Sequence, residues 1–167
     1  KPLIELFAGI PTVVIGFIML VIGASFFNDL LHPANRLNAF VASIGLSFVI
    51  IPVIASLTED ALHSIPNDLR MASYGLGATK WQTISRVILP AAFSGVSASI
   101  ILGFGRAIGE TMIVLMAAGN AANITSNIFL SVRTMTATIA AEMGEVSQGS
   151  DHYYSLFFIG IVLFTIS

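Results

Sequence analysis

The sequence predicts an all-α integral membrane protein, a polytopic helical bundle with about four membrane spans. Of its 167 residues, 56% are hydrophobic and only 10% are charged. Roughly a quarter of the residues of a soluble domain carry a charge, so this composition points to a bilayer, as does the mean hydropathy of +0.91. Uncharged runs long enough to cross the hydrocarbon core recur along the chain.

The first two spans are predicted over residues 10–27 and 37–57. These runs are 18 and 21 residues long, and neither contains a charged side chain. Pro52 lies two-thirds of the way along the second run, where its missing backbone donor is expected to kink the helix. Polar and helix-breaking residues over 28–36 separate the two spans.

A polar segment follows the second span and should lie in water. It carries six charged residues between positions 59 and 86, and it predicts two short helices. Pro66 marks the first turn of the first helix, and Gly77 permits a sharp turn after it. Thr79 and Gln82 have the spacing of a capping box, which predicts the start of the second helix.

The remaining elements are a third span, a long loop and a fourth span. Residues 90–118 are apolar apart from two charged side chains and predict one continuous span. The loop over residues 120–151 is expected to contain a short helix over 135–143. The fourth span should start at Tyr153, whose ring is suited to the membrane interface.

The distribution of basic residues predicts the orientation. Three Lys and Arg residues lie between positions 59 and 86, whereas the first loop has only Arg36 and the last loop only Arg133. Because basic residues concentrate in cytoplasmic loops, we expect the polar segment to face the cytoplasm and the other two loops the opposite side.

Several classes of function are excluded by residue type. Seven Lys and Arg against nine Asp and Glu provide no basic field for nucleic acid. The chain has no cysteine, and His32, His63 and His152 lack the spacing of metal ligands. Neither a phosphate-binding glycine loop nor a nucleophile motif is present, so we expect no metal, no cofactor and no enzymatic activity.

Arg106 and Glu110 lie four residues apart on one face of the third span. A charged side chain within a span costs about 2.5–3.5 kcal/mol on insertion scales, so such residues usually have a function. One interpretation places them on a translocation path, where Arg106 attracts an anion and Glu110 holds or gates it. The alternative is a structural ion pair, within the helix or to a neighbouring helix.

Small residues recur at a spacing of four in the same segment. Gly95, Ser99 and Gly103 form one row, and Gly105 and Gly109 form another. Such rows allow helix backbones to approach closely in a membrane, which is the preferred interpretation. A narrow pore lined by glycine is the alternative.

The polar segment also resembles the cytoplasmic coupling loop of ABC-importer permeases. That signature reads Glu-Ala-Ala, three residues, Gly, nine residues, Ile, one residue and Leu-Pro. The matching residues are Ala72, Gly77, Leu89 and Pro90, and the departures are Met71 for Glu, Ser73 for the second Ala and Val87 for Ile. The resemblance implies coupling to a separate ATPase through Ala72, Ser73, Gly77, Leu89 and Pro90. An unrelated amphipathic loop is the alternative.

Three further strings resemble the permeases of the phosphate importer, closest to the subunit called PstC. They run from Glu5 to Pro11, from Gly105 to Met112 and from Arg133 to Glu142. The resemblance implies the fold of MetI-like ABC-importer permeases and a subunit of six spans, of which about four are present. It also implies a phosphate path that includes Arg106, Glu110 and Thr111.

The same resemblance implies partners and a location. The partners would be a sister permease similar to PstA, two copies of a cytoplasmic ATPase similar to PstB, and a periplasmic or lipoprotein phosphate-binding protein similar to PstS. ATP would be bound by the ATPase and not by this chain. We expect a multi-pass protein of the prokaryotic plasma (inner) membrane. It would form one permease domain over residues 1–167, truncated at both ends, with a cytoplasmic coupling loop over about residues 58–90.

Three alternatives to phosphate import by an ABC permease remain open at this point. The substrate could be another oxyanion, because the binding protein largely sets selectivity. The chain could be half of an ion-coupled secondary transporter, with Arg106 and Glu110 relaying ions. It could also be a membrane scaffold in which both charges are structural.

Overall fold

A computed structural model describes residues 9–167, and within this range the chain is helical apart from its connections. The helices are, in chain order, α1 (Thr12–Leu31), α2 (Ala39–His63), α3 (Asn67–Gly75), α4 (Lys80–Ala91), α5 (Phe93–Gly109), α6 (Met112–Ala117), α7 (Met135–Glu142) and α8 (Asp151–Ile166). The predicted all-α membrane class is confirmed. The string from Glu5 to Ala8 lies outside the described residues.

Among residues 9–167, two helices are long and apolar enough to cross a membrane by themselves: α1 has 20 residues and α2 has 25. Helices α4 and α5 form a further apolar pair that bends by 69°, and α8 is apolar but shorter. The prediction of one continuous span over residues 90–118 is wrong, because the helix bends at Ala92 and stops at Gly109. The second span continues to His63, through Pro52.

The described residues divide into two compact units. One consists of Ile50–Phe104, and the other combines Gly9–Val49 with Gly105–Ser167. The expectation of a single permease domain stays a prediction.

In the unit that contains α1 and α6, the hydrophobic core forms where these two helices meet. A Cβ atom on Gly16 would lie 3.1 Å from the carbonyl oxygen of Met112 and 3.2 Å from Cα of Ile113. The absence of a side chain at Gly16 therefore lets the two backbones approach. Ile113 is fully buried in the resulting core, as are Val41 and Ala117.

Helix α1 contains a π-helical turn over Met19–Gly23. Arg36, from the connection after α1, donates a hydrogen bond from Nη2 to the carbonyl oxygen of Leu20 (3.2 Å) and another to Ser25 Oγ (2.8 Å). A π turn disrupts the regular α-helical hydrogen bonds, and the guanidinium satisfies a backbone oxygen at this point.

In the unit formed by Ile50–Phe104, α5 packs closely against α2 through small residues. A Cβ atom on Gly95 would lie 2.7 Å from Cβ of Ala61, and one on Gly103 would overlap the side chain of Ile54. The predicted packing role is confirmed for these two glycines. A Cβ atom on Gly105 or Gly109, by contrast, would meet no described atom within 4 Å.

Candidate substrate path and coupling segment

The third apolar segment is broken at Glu110 and Thr111, between α5 and α6. Glu110 Oε1 accepts hydrogen bonds from the backbone N–H groups of Thr111 and Met112, both at 3.2 Å. Thr111 Oγ1 donates to the carbonyl oxygen of Gly109 at 3.2 Å. A helix break leaves backbone N–H and C=O groups without helical partners, and here the side chains of Glu110 and Thr111 bond to some of them. In an apolar environment such groups must be hydrogen-bonded within the protein.

A second contact fixes the break from outside. Thr136 Oγ1 donates a hydrogen bond of 2.9 Å to the carbonyl oxygen of Glu110. Only 8% of Glu110 and 7% of Thr136 are exposed. Since Thr136 lies in the first turn of α7, this buried bond holds the start of α7 against the end of α5.

A cavity of about 410 Å³ lies beside the break. Its polar lining consists of Glu110, Arg133, Thr134 and Thr136, and the rest of the lining is apolar. Sequence reasoning did not assign Arg133, Thr134 or Thr136 to a site. The signal that could have identified them is the string that starts at Arg133, which resembles the permeases of the phosphate importer. This string begins 23 residues after Glu110.

Two contacts fix Arg133 in the lining of this cavity. Its Nε donates to the carbonyl oxygen of Asn120 at 3.2 Å, and its Nη1 forms an ion pair with Glu142 Oε1. His152 Nε2 lies 2.8 Å from Glu142 Oε2. The hydrogen bond from His152, with the charge and hydrogen bond of Arg133, holds the pKa of Glu142 below its ordinary value, although partial desolvation opposes this.

No metal site is evident in the part of the chain that the structure describes. Within residues 9–167, no three His, Asp or Glu side chains converge closely enough to hold an ion.

Arg106 lies on the exposed surface of α5, and it makes no hydrogen bond or ion pair with the described residues. The structure does not bring Arg106 and Glu110 together as an ion pair, because the Glu110 carboxylate is occupied by the backbone of the break. A Cβ atom on the flanking Gly105 or Gly109 would meet no described atom within 4 Å. The five donors of the guanidinium bond to none of the described residues.

The polar segment between α2 and α5 folds as the sequence predicts. Gly77 has a φ of +80°, a left-handed conformation that favours glycine, and its N–H donates to the carbonyl oxygen of Tyr74 at 2.9 Å. The capping box is present: Thr79 N donates to Gln82 Oε1 (2.8 Å) and Gln82 N donates to Thr79 Oγ1 (3.3 Å). Helix α4 therefore begins immediately after Thr79.

The five residues expected to couple to an ATPase do not share one environment. Ala72, Gly77, Leu89 and Pro90 are exposed. Ser73 is only 7% exposed, and its Oγ lies 2.9 Å from Oγ1 of the fully buried Thr83. Ser73 is therefore placed to contact α4 and not an outside partner.

Large apolar side chains surround the turn and face outward. Leu76 is 90% exposed, and Met71, Tyr74 and Trp81 are exposed as well. Sequence reasoning noted Met71 only as a departure from the motif and missed the other three. An exposed apolar patch of this kind, in a segment too polar to lie in lipid, is typical of a protein interaction surface.

Apolar helices, an exposed interhelical segment, and an arginine in an apolar helix with no partner among residues 9–167 are together features of a membrane permease. This chain belongs to the family described as the binding-protein-dependent transport system inner membrane component, whose model matches residues 1–167.

Its relatives are transport proteins. The chain is 39% identical to the probable ABC transporter permease protein YqgH of Bacillus subtilis, over 100% of this chain and 54% of the relative. It is 34% identical to the phosphate transport system permease protein PstC of Mesorhizobium japonicum (98% and 56% covered) and 31% identical to that of Pasteurella multocida (98% and 57% covered). The chain thus spans about half the length of these relatives. No solved structure matches it.

Proposed function

We propose that this chain is a transmembrane permease subunit of an ATP-driven ABC importer for inorganic phosphate, and that it forms half of the translocation path. The observation that carries the proposal is the exposed Arg106 in the apolar helix α5. Its guanidinium lacks a partner among the described residues. Two relatives named as PstC phosphate permeases support phosphate as the substrate. The relative from Bacillus subtilis is named only as an ABC permease, so another oxyanion is the second candidate.

Lipid is the least favourable environment for Arg106. A charged side chain facing the bilayer centre would cost about 2.5–3.5 kcal/mol, whereas a water-lined path or a sister subunit would solvate it. Phosphate oxygens match the planar guanidinium in bidentate geometry. A single arginine attracts the anion without holding it so tightly that it cannot leave.

Glu110 and Thr111 complete this part of the path by shaping the break. The Glu110 carboxylate already accepts hydrogen bonds from two backbone N–H groups. Its role is therefore to stabilise the break that follows the end of α5 at Gly109. Thr111 follows directly and is half-buried, with its hydroxyl turned back to Gly109. In this arrangement, Arg106 contacts the anion and Glu110 positions the backbone beside it.

Coupling to ATP hydrolysis takes place through α3 and the turn at Gly77. The exposed side chains of Ala72 and Leu76 present an apolar surface that fits a groove on an ATPase. Leu89 and Pro90 lie at the other end of α4, immediately before the 69° bend into α5. Displacement of α3 would reach the path through this bend.

The assembly that follows has several chains. It consists of this subunit, a PstA-like sister permease, two copies of a PstB-like ATPase and a PstS-like phosphate-binding protein. ATP is bound by the ATPase, and this chain binds no cofactor. The coupling segment faces the cytoplasm, in agreement with its three basic residues.

Uptake of labelled phosphate by the full-length complex in proteoliposomes tests the substrate and the role of Arg106. The parent complex should import phosphate, and not sulfate, when ATP is supplied. Arg106→Gln should lower uptake at least tenfold with the complex still assembled, and Arg106→Lys should retain part of it, because a point charge replaces the bidentate fork. Full uptake by Arg106→Gln would remove Arg106 from the path. Sulfate uptake by the parent would favour another oxyanion, and uptake without ATP would favour an ion-coupled transporter.

A pair of glycine variants tests the coupling segment. Gly77→Asp places a charged side chain in the turn and strains its left-handed backbone, so uptake should fall while ATP hydrolysis continues. Gly149→Asp is the matched control, because Gly149 has a φ of +82° and equally open surroundings but lies in the loop before α8. Equal uptake by the two variants would contradict the coupling role of Gly77.

A further inference from the structure

A buried pair of hydroxyl groups connects α3 with α4. Ser73 Oγ and Thr83 Oγ1 lie 2.9 Å apart, and their residues are 7% and 0% exposed. Among the described residues, this is the only side-chain hydrogen bond between the two helices.

The direction of this hydrogen bond follows from the other contact of Thr83. Thr83 Oγ1 lies 3.1 Å from the carbonyl oxygen of Thr79, to which it can only donate. A hydroxyl has one hydrogen, so Ser73 must donate to Thr83. The result is a chain of hydrogen bonds from Ser73 through Thr83 to Thr79, the N-cap residue of α4.

The other connections between α3 and α4 in the described residues are backbone bonds and packing contacts. The turn between them is anchored by the bond from Ala78 N to the Ser73 carbonyl oxygen (3.2 Å) and contains the left-handed Gly77. The large side chains nearest to the turn, Leu76 and Trp81, are exposed and do not pack the helices together. Without the hydroxyl pair, backbone bonds and the packing of the two helices would oppose rotation of α3 about the turn, with no side-chain hydrogen bond among the described residues to fix their register.

We propose that Ser73 and Thr83 are positioning residues that make α3 and α4 move as one body, so that displacement of α3 reaches the bend at Ala92. This inference rests on the proposed function, in which an ATPase displaces α3. Both hydroxyls are buried, so the pair acts through α3 and α4 and does not touch the ATPase.

The pair is a property of this chain more than of the coupling motif that its segment resembles. Alanine stands at the position of Ser73 in that motif, and alanine has no hydroxyl to donate. A second contact holds α3 from the other side, because Arg70 Nη2 donates to the carbonyl oxygen of Leu62 at 2.9 Å. Loss of the Ser73 hydroxyl should therefore loosen α3 relative to α4 without releasing it from the end of α2.

The number of ATP molecules hydrolysed per phosphate imported tests the proposal in the full-length complex in proteoliposomes. Ser73→Ala should raise this ratio about two- to tenfold, which is the range expected from the loss of one hydrogen bond. Thr83→Val removes the same bond and should do likewise, whereas Thr83→Ser keeps the hydroxyl and should match the parent. The double variant Ser73→Ala/Thr83→Val should be no worse than the poorer single variant, because both remove one interaction.

The outcomes separate a positioning role from a structural one. A merely structural defect would lower uptake and hydrolysis in proportion and leave the ratio unchanged, which would overturn the proposal. If Thr83→Val fails to assemble, Ser73→Ala decides, since it leaves the bond from Thr83 to Thr79 in place. A parent complex without ATP-dependent phosphate uptake would refute the proposed function. A coupled parent with an unchanged ratio in Ser73→Ala would refute only this inference.

Discussion

Replacement of Gly95 by alanine tests the close packing of α5 on α2. The new Cβ atom would lie 2.7 Å from Cβ of Ala61, roughly 1 Å less than an ordinary contact between carbon atoms. Ala61 has no side-chain torsion through which it could move away. The helices must therefore separate, or the backbone must deform, to accept a single methyl group.

The expected cost follows from these contacts. Overpacking a well-filled contact costs about 1–3 kcal/mol, and the better helix propensity of alanine returns about 0.5–1 kcal/mol. Gly105→Ala is the matched control in the same helix, because its Cβ atom would meet no described atom within 4 Å and only the propensity gain applies. The free energy of unfolding should thus differ between the two variants by about 1–3 kcal/mol.

Denaturant unfolding of the purified full-length permease in detergent micelles measures this difference. The exchange variant Gly95→Ala/Ala61→Gly moves the methyl group to the other helix, and it should recover most of the loss. Equal stability of Gly95→Ala and Gly105→Ala would refute the close approach. Failure of the exchange variant to recover would show that the cost arises elsewhere than between these two residues.

Two further predictions concern the break and the loop cluster. Thr136→Val should cost about 1–3 kcal/mol of unfolding free energy, because it leaves the buried carbonyl oxygen of Glu110 without its donor. Thr136→Ser, which keeps the hydroxyl, should lose much less, and equal losses would contradict the contact. The pKa of Glu142 is lower in the folded protein than its ordinary value of 4.5. Its contacts therefore stabilise the fold fully above that ordinary value, and this contribution is lost as the pH falls through the folded-state pKa. The free energy of unfolding, measured from neutral to acidic pH, should therefore fall less in Glu142→Gln than in the parent. Parallel curves for the two proteins would contradict this prediction.

Local sequence signals predicted the features that depend on neighbouring residues. The capping box of Thr79 and Gln82 and the left-handed turn at Gly77 arise within a few residues, and both are present. The close contacts at Gly95 and Gly103 followed from a spacing of four along one helix. The cap and the turn have their physical cause within the segment that carries the signal, whereas the glycine row predicted a close approach but not its partners, Ala61 and Ile54 of α2.

The break at Glu110 could not be predicted in this way. An apolar run with two charges resembles an ordinary span, and the spacing of Arg106 and Glu110 favoured a role on the path with an ion pair as the alternative. The Glu110 carboxylate instead bonds to the backbone that follows it, and its carbonyl oxygen bonds to Thr136, which lies 26 residues later. Only the tertiary structure brings Thr136 to this position, so the contact that fixes the break from outside could not be predicted from the local sequence.

The π turn in α1 has a consequence for how the length of this chain can vary. Such a turn holds about one residue more than an α-helical turn. Deletion of one residue within Met19–Gly23 would restore regular helix and keep Gly16 and the fully buried Ala24 on their present faces. The same deletion at Phe17 or Ile18, before the π turn, would rotate all later residues by about 100° relative to Gly16 and turn Ala24 out of the core. Natural changes of length in this span should therefore concentrate at this turn. Relatives that lack one residue here should also lack the arginine at position 36, because its bond to the Leu20 carbonyl oxygen would no longer be needed.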